Sequence, residues 1–168
     1  MFRVGYGVDV HAFANDRRLV IGGITIPYDK GLAGHSDADV LVHAICDALL
    51  GAAGLGDIGR WFPDSTPQYK NIDSTVLLSA IVDAVVQRDF TIINIDATVL
   101  AQAPRIAPYT DRIRARLAPL LAIEPDRINI KATTTEGLGF CGRAEGIEAR
   151  AVCLLQCRTE PSTREPSF

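Results

Sequence analysis

No C-x-x-C pair occurs among the four cysteines, at 46, 141, 153 and 157, so the usual cysteine-based zinc and redox signatures are missing. Cys46 lies in an apolar helical run, and Cys153 and Cys157 lie in an apolar strand-like run, the setting of reduced and mostly buried thiols. Positive charge is not in excess either: the net charge is −3, which argues against a nucleic-acid partner. Any phosphate ligand must be met by local donors and metal ions. No charged segment followed by an apolar one opens the chain, and no apolar run is long enough to span a bilayer. The expectation is a cytoplasmic protein with no membrane partner. Repeats and low-complexity segments are absent as well. What remains is an ordinary globular composition, 48% hydrophobic and 22% charged, in 168 residues, enough for one domain with a proper core and no disulfide staples.

Periodicity supplies the organisation. Residues 2–8 read as a strand that runs into Asp9-Val10-His11. Residues 18–27 form two short apolar runs around Gly22-Gly23, a hairpin signal. A helix follows His35-Ser36, with Ser36 as its expected N-cap and Asp39 three residues on. After a Gly-, Asp- and Pro-rich loop from Gly54 to about Asn71, Asp73 or Ser74 caps a second helix. Strands are expected over 91–101, 127–135 and 146–157, with a third helix around 108–122. The fold class is therefore α/β, an α+β sandwich. Its mixed sheet has about four main strands, with helices on one face and a small hairpin beside it. The domain is expected over 1–157, and the polar, Pro-containing stretch from 158 to 168 reads as a disordered tail.

All three histidines, His11, His35 and His43, fall in the first 43 residues. Asp9 and His11 are two apart on a strand, so both side chains point to one face. With a helical His43 they make a sensible three-ligand zinc set that keeps a position open for substrate. The same spacing also arises from a capped helix with a polar face and an incidental histidine. Free N–H groups near His35-Ser36 at the expected helix start would attract phosphate. A second cluster, Lys131-Ala132-Thr133-Thr134-Thr135-Glu136, offers hydroxyls, backbone donors and a carboxylate suited to a divalent cation on phosphate oxygens. An edge strand rich in threonine would look the same.

Taken together, the segments resemble the 2-C-methyl-D-erythritol 2,4-cyclodiphosphate synthase family. The resemblance is carried by GYGVDVHAF (5–13), HSDADVLVH (35–43), DALLGAAGLGDIG (47–59), FPD (62–64), AQAP (101–104), KATTTE (131–136) and GFCGRAEGI (139–147), in order. It implies an intramolecular phosphoryl transfer. The 2-phosphate of 4-diphosphocytidyl-2-C-methyl-D-erythritol 2-phosphate attacks the β-phosphorus, and CMP leaves as the cyclic diphosphate closes. Such chemistry calls for positioning and charge neutralisation and needs no covalent nucleophile.

The resemblance also implies roles. Asp9, His11 and His43 would bind Zn²⁺, and Glu136 would hold Mg²⁺ or Mn²⁺ on the diphosphate. His35 and Thr134 would be catalytic, stabilising the transition state. Ser36, Phe62, Pro63, Asp64, Ser65 and Thr66 would meet the methylerythritol phosphate end, and Asp57, Ile58 and Gly59 the erythritol and ribose. Ala101, Gln102, Ala103, Pro104, Arg105, Ile106 and Ala107, with Thr133, Thr134 and Thr135, would form the cytidine pocket, Arg105 lying near the phosphates. Phe140 and Arg143 would also contact ligand, lining a central cavity in relatives. Family members are homotrimers with active sites between subunits. Two positions depart from the common pattern: Val8 stands where an aromatic is frequent, and Arg150 where some relatives carry glutamate. The readings that compete with cyclisation are a metal-dependent phosphohydrolase and a non-catalytic trimeric binder of isoprenoid diphosphates.

Overall fold

A computed structural model describes residues 1–63 and 65–158. Asp64 and most of the expected tail lie outside the described residues.

Strand β1, Phe2–Ala14, opens the fold, followed by the short strands β2 (Leu19–Ile21), β3 (Ile24–Ile26) and β4 (Gly31–Leu32). Helix α1 spans Val40–Ala53, α2 Ile58–Trp61 and α3 Ser74–Gln87. Then come β5 (Phe90–Leu100), α4 (Thr110–Leu121), β6 (Ile128–Thr133), the single turn α5 (Gly139–Gly142) and β7 (Gly146–Cys157). Five strands form one mixed sheet in the order β4-β1-β7-β5-β6, and β2 and β3 make a separate hairpin. The pairings are antiparallel except for β5 with β6, whose parallel register is made by the crossover through α4. Four long strands plus a hairpin, with helices against the sheet, is the architecture the periodicity called for.

The two faces of β1 differ sharply. Val4, Tyr6, Val8 and Val10 stand on one face and are 68%, 59%, 41% and 46% exposed. The alternate residues Gly5, Gly7, Asp9 and His11 face α1. Gly5 and Gly7 let the helix lie at backbone distance: a Cβ on Gly5 would sit 1.8 Å from the Ala48 carbonyl oxygen, and one on Gly7 2.1 Å from that of Ala44. Ala44, Ala48 and Ala52 continue the close contact from the helix side, all buried. The core formed under α1 includes Leu41, Ile45, Leu49, Leu78, Ile81, Val99, Ala149 and Leu155. Nearly all of α1 is buried, so its polar residues are placed by their partners and not by an amphipathic stripe.

Helix α1 starts later than expected. Its N-cap is Asp39, not Ser36, and the Asp39 carboxylate accepts from Val42 N. Ser36 instead caps a tight turn, its hydroxyl accepting from Ala38 N at 3.1 Å, and Ala38 has φ +59°, which no helix start allows. The open helix end expected at His35-Ser36 is therefore occupied by an internal carboxylate. Asp39 also accepts from Gly22 N and Gly23 N, at 2.9 and 2.6 Å, tying the hairpin turn to the helix. Both glycines have positive φ, +62° and +70°, as a tight hairpin turn of this kind requires. Of the two expected caps for α3, Asp73 is the one used. No helix among the described residues is long and apolar enough to cross a membrane.

Candidate active site

Asp9 and His11 project from β1 toward α1, and His43 comes down from the first turn of that helix. Asp9 Oδ2 lies 2.9 Å from His11 Nε2 and 3.0 Å from His43 Nδ1, and the two ring nitrogens are 3.1 Å apart. These atoms form the one three-residue cluster of metal-ligating type among the described residues.

Hydrogen bonds on the far side of each ring decide what faces the cluster. His11 Nδ1 lies 2.5 Å from the Ala33 carbonyl oxygen, which can only accept, so Nδ1 carries the proton of the neutral ring. Nε2 then presents a lone pair. His43 Nε2 lies 2.9 Å from Ser74 Oγ, whose own proton goes to Asp37 Oδ1 at 2.5 Å. Nε2 must therefore be the donor, and His43 Nδ1 also presents a lone pair. Two lone pairs and a carboxylate converging on one point require a proton or a cation between them. A tetrahedral zinc with bonds of about 2.1 Å separates its ligand atoms by about 3.4 Å, so this donor set fits after opening by a few tenths of an ångström.

The electrostatics agree. Burial works against the Asp9 charge, but the His11 and His43 rings held against it outweigh that and keep the carboxyl well below the usual range. Burial also disfavours a charged His11, yet its hydrogen bond and proximity to Asp9 raise its pKa. A proton taken up on His11 Nε2 would thus occupy the place a cation would take. Asp47, one turn beyond His43, accepts from Ile58 N at 2.7 Å and fixes the start of α2. Burial raises its pKa, against that backbone bond.

Around the cluster lies a cavity of about 220 Å³, lined by Asp9, His11, Gly34, His35, Ser36, His43, Ile58, Gly59, Phe62, Tyr69, Ile72 and Leu77. Most of the expected first group is brought together here. His35 Nε2 reaches the Thr66 carbonyl at 3.4 Å, linking two expected segments. Asp57 caps α2 by accepting from Arg60 N, and Pro63 and Ser65 are exposed beyond Phe62. Tyr69, Ile72 and Leu77 were not foreseen. They come from a stretch read as bare loop and from the apolar face of α3, and apolar residues there look like ordinary core.

The second group gathers elsewhere. Parallel strands β5 and β6 end side by side, Leu100 opposite Thr133, and Ala101 N donates to the Thr133 carbonyl at 3.0 Å. Beyond these ends an open cavity of about 500 Å³ is lined by Ala101, Gln102, Arg105, Ile106, Ala107, Ala132, Thr133, Thr134 and Glu136. Glu136 has φ +52°, and Thr134 Oγ1 donates to its carboxylate at 3.0 Å. Thr135 points away, its hydroxyl donating to the Leu138 carbonyl. Ala103 and Pro104 are half-buried on the connector, their peptide bond cis. Phe140 is half-buried, and exposed Arg143 pairs with Glu145 at 2.7 Å; neither lines either cavity. Within one chain the two cavities share no lining residue.

Comparison with known proteins places this geometry. The family model for the YgbB family matches residues 2–156. The 2-C-methyl-D-erythritol 2,4-cyclodiphosphate synthase of Thiobacillus denitrificans is 58% identical over 154 residues, 92% of this chain and 96% of its own. Among solved structures, the bifunctional IspDF of Campylobacter jejuni superposes with TM-score 0.89 at 44% identity, covering 92% of this chain and 42% of that longer one. The IspF of Plasmodium falciparum, in complex with CDP, gives TM-score 0.82 at 31% identity over 94% of this chain and 97% of its own.

Proposed function

Since the chain belongs to the YgbB family, which includes the 2-C-methyl-D-erythritol 2,4-cyclodiphosphate synthases, we propose that it performs their cyclisation. It would convert 4-diphosphocytidyl-2-C-methyl-D-erythritol 2-phosphate to the 2,4-cyclodiphosphate with release of CMP. The observation that carries the reading is the convergence of the Asp9, His11 and His43 ligand atoms on one wall of a cavity that His35, Ser36, Ile58, Gly59 and Phe62 also line.

Asp9, His11 and His43 would hold zinc, which when bound supplies charge neutralisation at a phosphate oxygen. His35 and Ser36, on the same wall, would orient the attacking phosphate and meet its charge. Ile58, Gly59 and Phe62 would enclose the methylerythritol, with Asp57, Pro63, Asp64, Ser65 and Thr66 at its rim. On the second cavity, Glu136 would hold magnesium or manganese, and the Thr134 hydroxyl would steady the diphosphate. Residues 101–107 with Thr133 would receive the cytidine, a reading supported by the CDP bound in a relative of the same fold.

Both cavities must act on one substrate, yet they are separate within a chain. A homotrimer would bring the metal side of one subunit against the phosphate side of the next. The exposed apolar row on β1, with Phe2 and Val152 beside it, is the kind of surface such an assembly covers. Phosphorus NMR of substrate incubated with the protein and Mg²⁺ tests the reaction. The expected spectrum shows cyclic diphosphate and CMP in equal amounts. Inorganic phosphate in their place would identify a phosphohydrolase, and unchanged substrate a binding protein.

A further inference from the structure

Behind His43, away from the cavity, two side chains from other elements form a polar contact that the cyclisation chemistry does not itself require. We propose that Ser74 and Asp37 are positioning residues that lock His43 in its metal-competent tautomer. The inference rests on the reading of Asp9, His11 and His43 as a metal site.

Ser74, fully buried at the first turn of α3, has a single hydroxyl proton, and that proton is given to Asp37 Oδ1 at 2.5 Å. Asp37 Oδ2 accepts from Ser74 N at 3.2 Å, so the carboxylate grips both ends of the residue. With its proton committed, Ser74 Oγ has only lone pairs left for His43 Nε2 at 2.9 Å. The ring can satisfy that contact only as the Nε2–H tautomer, which frees Nδ1 for the cluster with Asp9 and His11. Ser36 Oγ lies 3.2 Å from both His43 Nε2 and Ser74 Oγ and already takes Ala38 N; with the Ser74 proton committed to Asp37, Ser36 can give its own proton to Ser74 Oγ. Were Asp37 absent, Ser74 could turn its proton onto His43 Nε2 and favour the other tautomer, with Nδ1 blocked. Asp37 itself is set by the turn at Ile72, where Asp37 N donates to the Ile72 carbonyl at 3.0 Å. A turn before α1 and the first turn of α3 thus decide which nitrogen of an α1 histidine faces the metal site.

The test uses the full chain and three variants, Ser74→Ala, Asp37→Ala and Asp37→Asn. Zinc affinity is measured by chelator competition, and the His43 tautomer by nitrogen-15 NMR of the metal-free protein where its ring is neutral. The parent should show Nε2–H. Ser74→Ala and Asp37→Ala should populate the Nδ1–H form and bind zinc about 10- to 100-fold more weakly. Asp37→Asn keeps one acceptor oxygen for the Ser74 hydroxyl but sets its amide against Ser74 N, so its losses in both readouts should be smaller than those of Asp37→Ala. Parental tautomer and affinity in Asp37→Ala would overturn the proposal, even if Ser74→Ala fails to fold. Equal losses in Asp37→Asn and Asp37→Ala would also overturn it, since they would mark a merely structural role. A parent with no zinc affinity would instead sink the metal reading, while its tautomer would still report on Ser74 and Asp37.

Discussion

Below its raised pKa His11 carries a proton on Nε2, against Asp9, and a metal ion must displace it. Because Asp9 raises the His11 pKa above 6.5, this competition extends toward neutral pH. Apparent zinc affinity should therefore fall as pH drops through that raised value, by about tenfold per unit once the ring is fully protonated. Chelator competition across about pH 5.5–8.5 would show the slope, and a flat profile would contradict the proton's place in the cluster. The stability of the two forms should move in opposite senses. A raised histidine pKa stabilises the metal-free fold fully below 6.5, and that gain is lost as pH rises through the folded-state value. The zinc-loaded fold gains over the same interval, because the metal competes with fewer protons. At the other cavity, Glu136→Gln should leave zinc binding intact while removing nearly all turnover, and what turnover is left should depend less on added magnesium. An unchanged magnesium titration would count against Glu136 as a cation ligand.

Helix α1 is seated by what β1 omits. Gly5 and Gly7 leave room for the Ala44 and Ala48 carbonyls, and this close approach brings His43 within reach of Asp9 and His11. Gly7→Ala should cost about 3 kcal/mol or more, since the clash is with backbone that cannot rotate away. It should also weaken zinc binding by moving the helix off the strand. Thermal melts with zinc titration check both, and unchanged values would show that the helix tolerates a wider gap.

The strand alternation that puts Asp9 and His11 on one face was legible in the sequence, as were the hairpin at Gly22-Gly23 and the helix bearing His43. The start of that helix was not. Ser36 and Asp39 are both good caps, and the choice is made by the positive φ of Ala38 and by the Gly22 and Gly23 amides, 17 and 16 residues away. Tyr69, Ile72 and Leu77 escaped for a related reason: an apolar residue on a loop or helix carries no local sign of the cavity it borders. Ser74 was legible only as a candidate cap, because its contact with His43 joins residues 31 positions apart.

At the scale of the whole molecule, the fold separates what the chemistry must unite. The metal-ligating cluster sits between β1 and α1, whereas the threonines and Glu136 sit at the ends of β5 and β6, with no lining residue in common. The apolar outer row of β1, Val4, Tyr6, Val8 and Val10, offers the surface through which copies would pack and bring the two sides together. No pattern within one chain could reveal that distance, since each cluster reads as a complete motif by itself. Subunit complementation measures it directly. His43→Ala and Glu136→Gln should each be nearly inactive alone, one lacking the zinc side and the other the phosphate side. If sites lie between neighbours, every mixed trimer holds one intact site, and random co-assembly should restore about a quarter of parental CMP release. Recovery near that level is the predicted result; co-purified mixtures no more active than the separate variants would contradict a shared site.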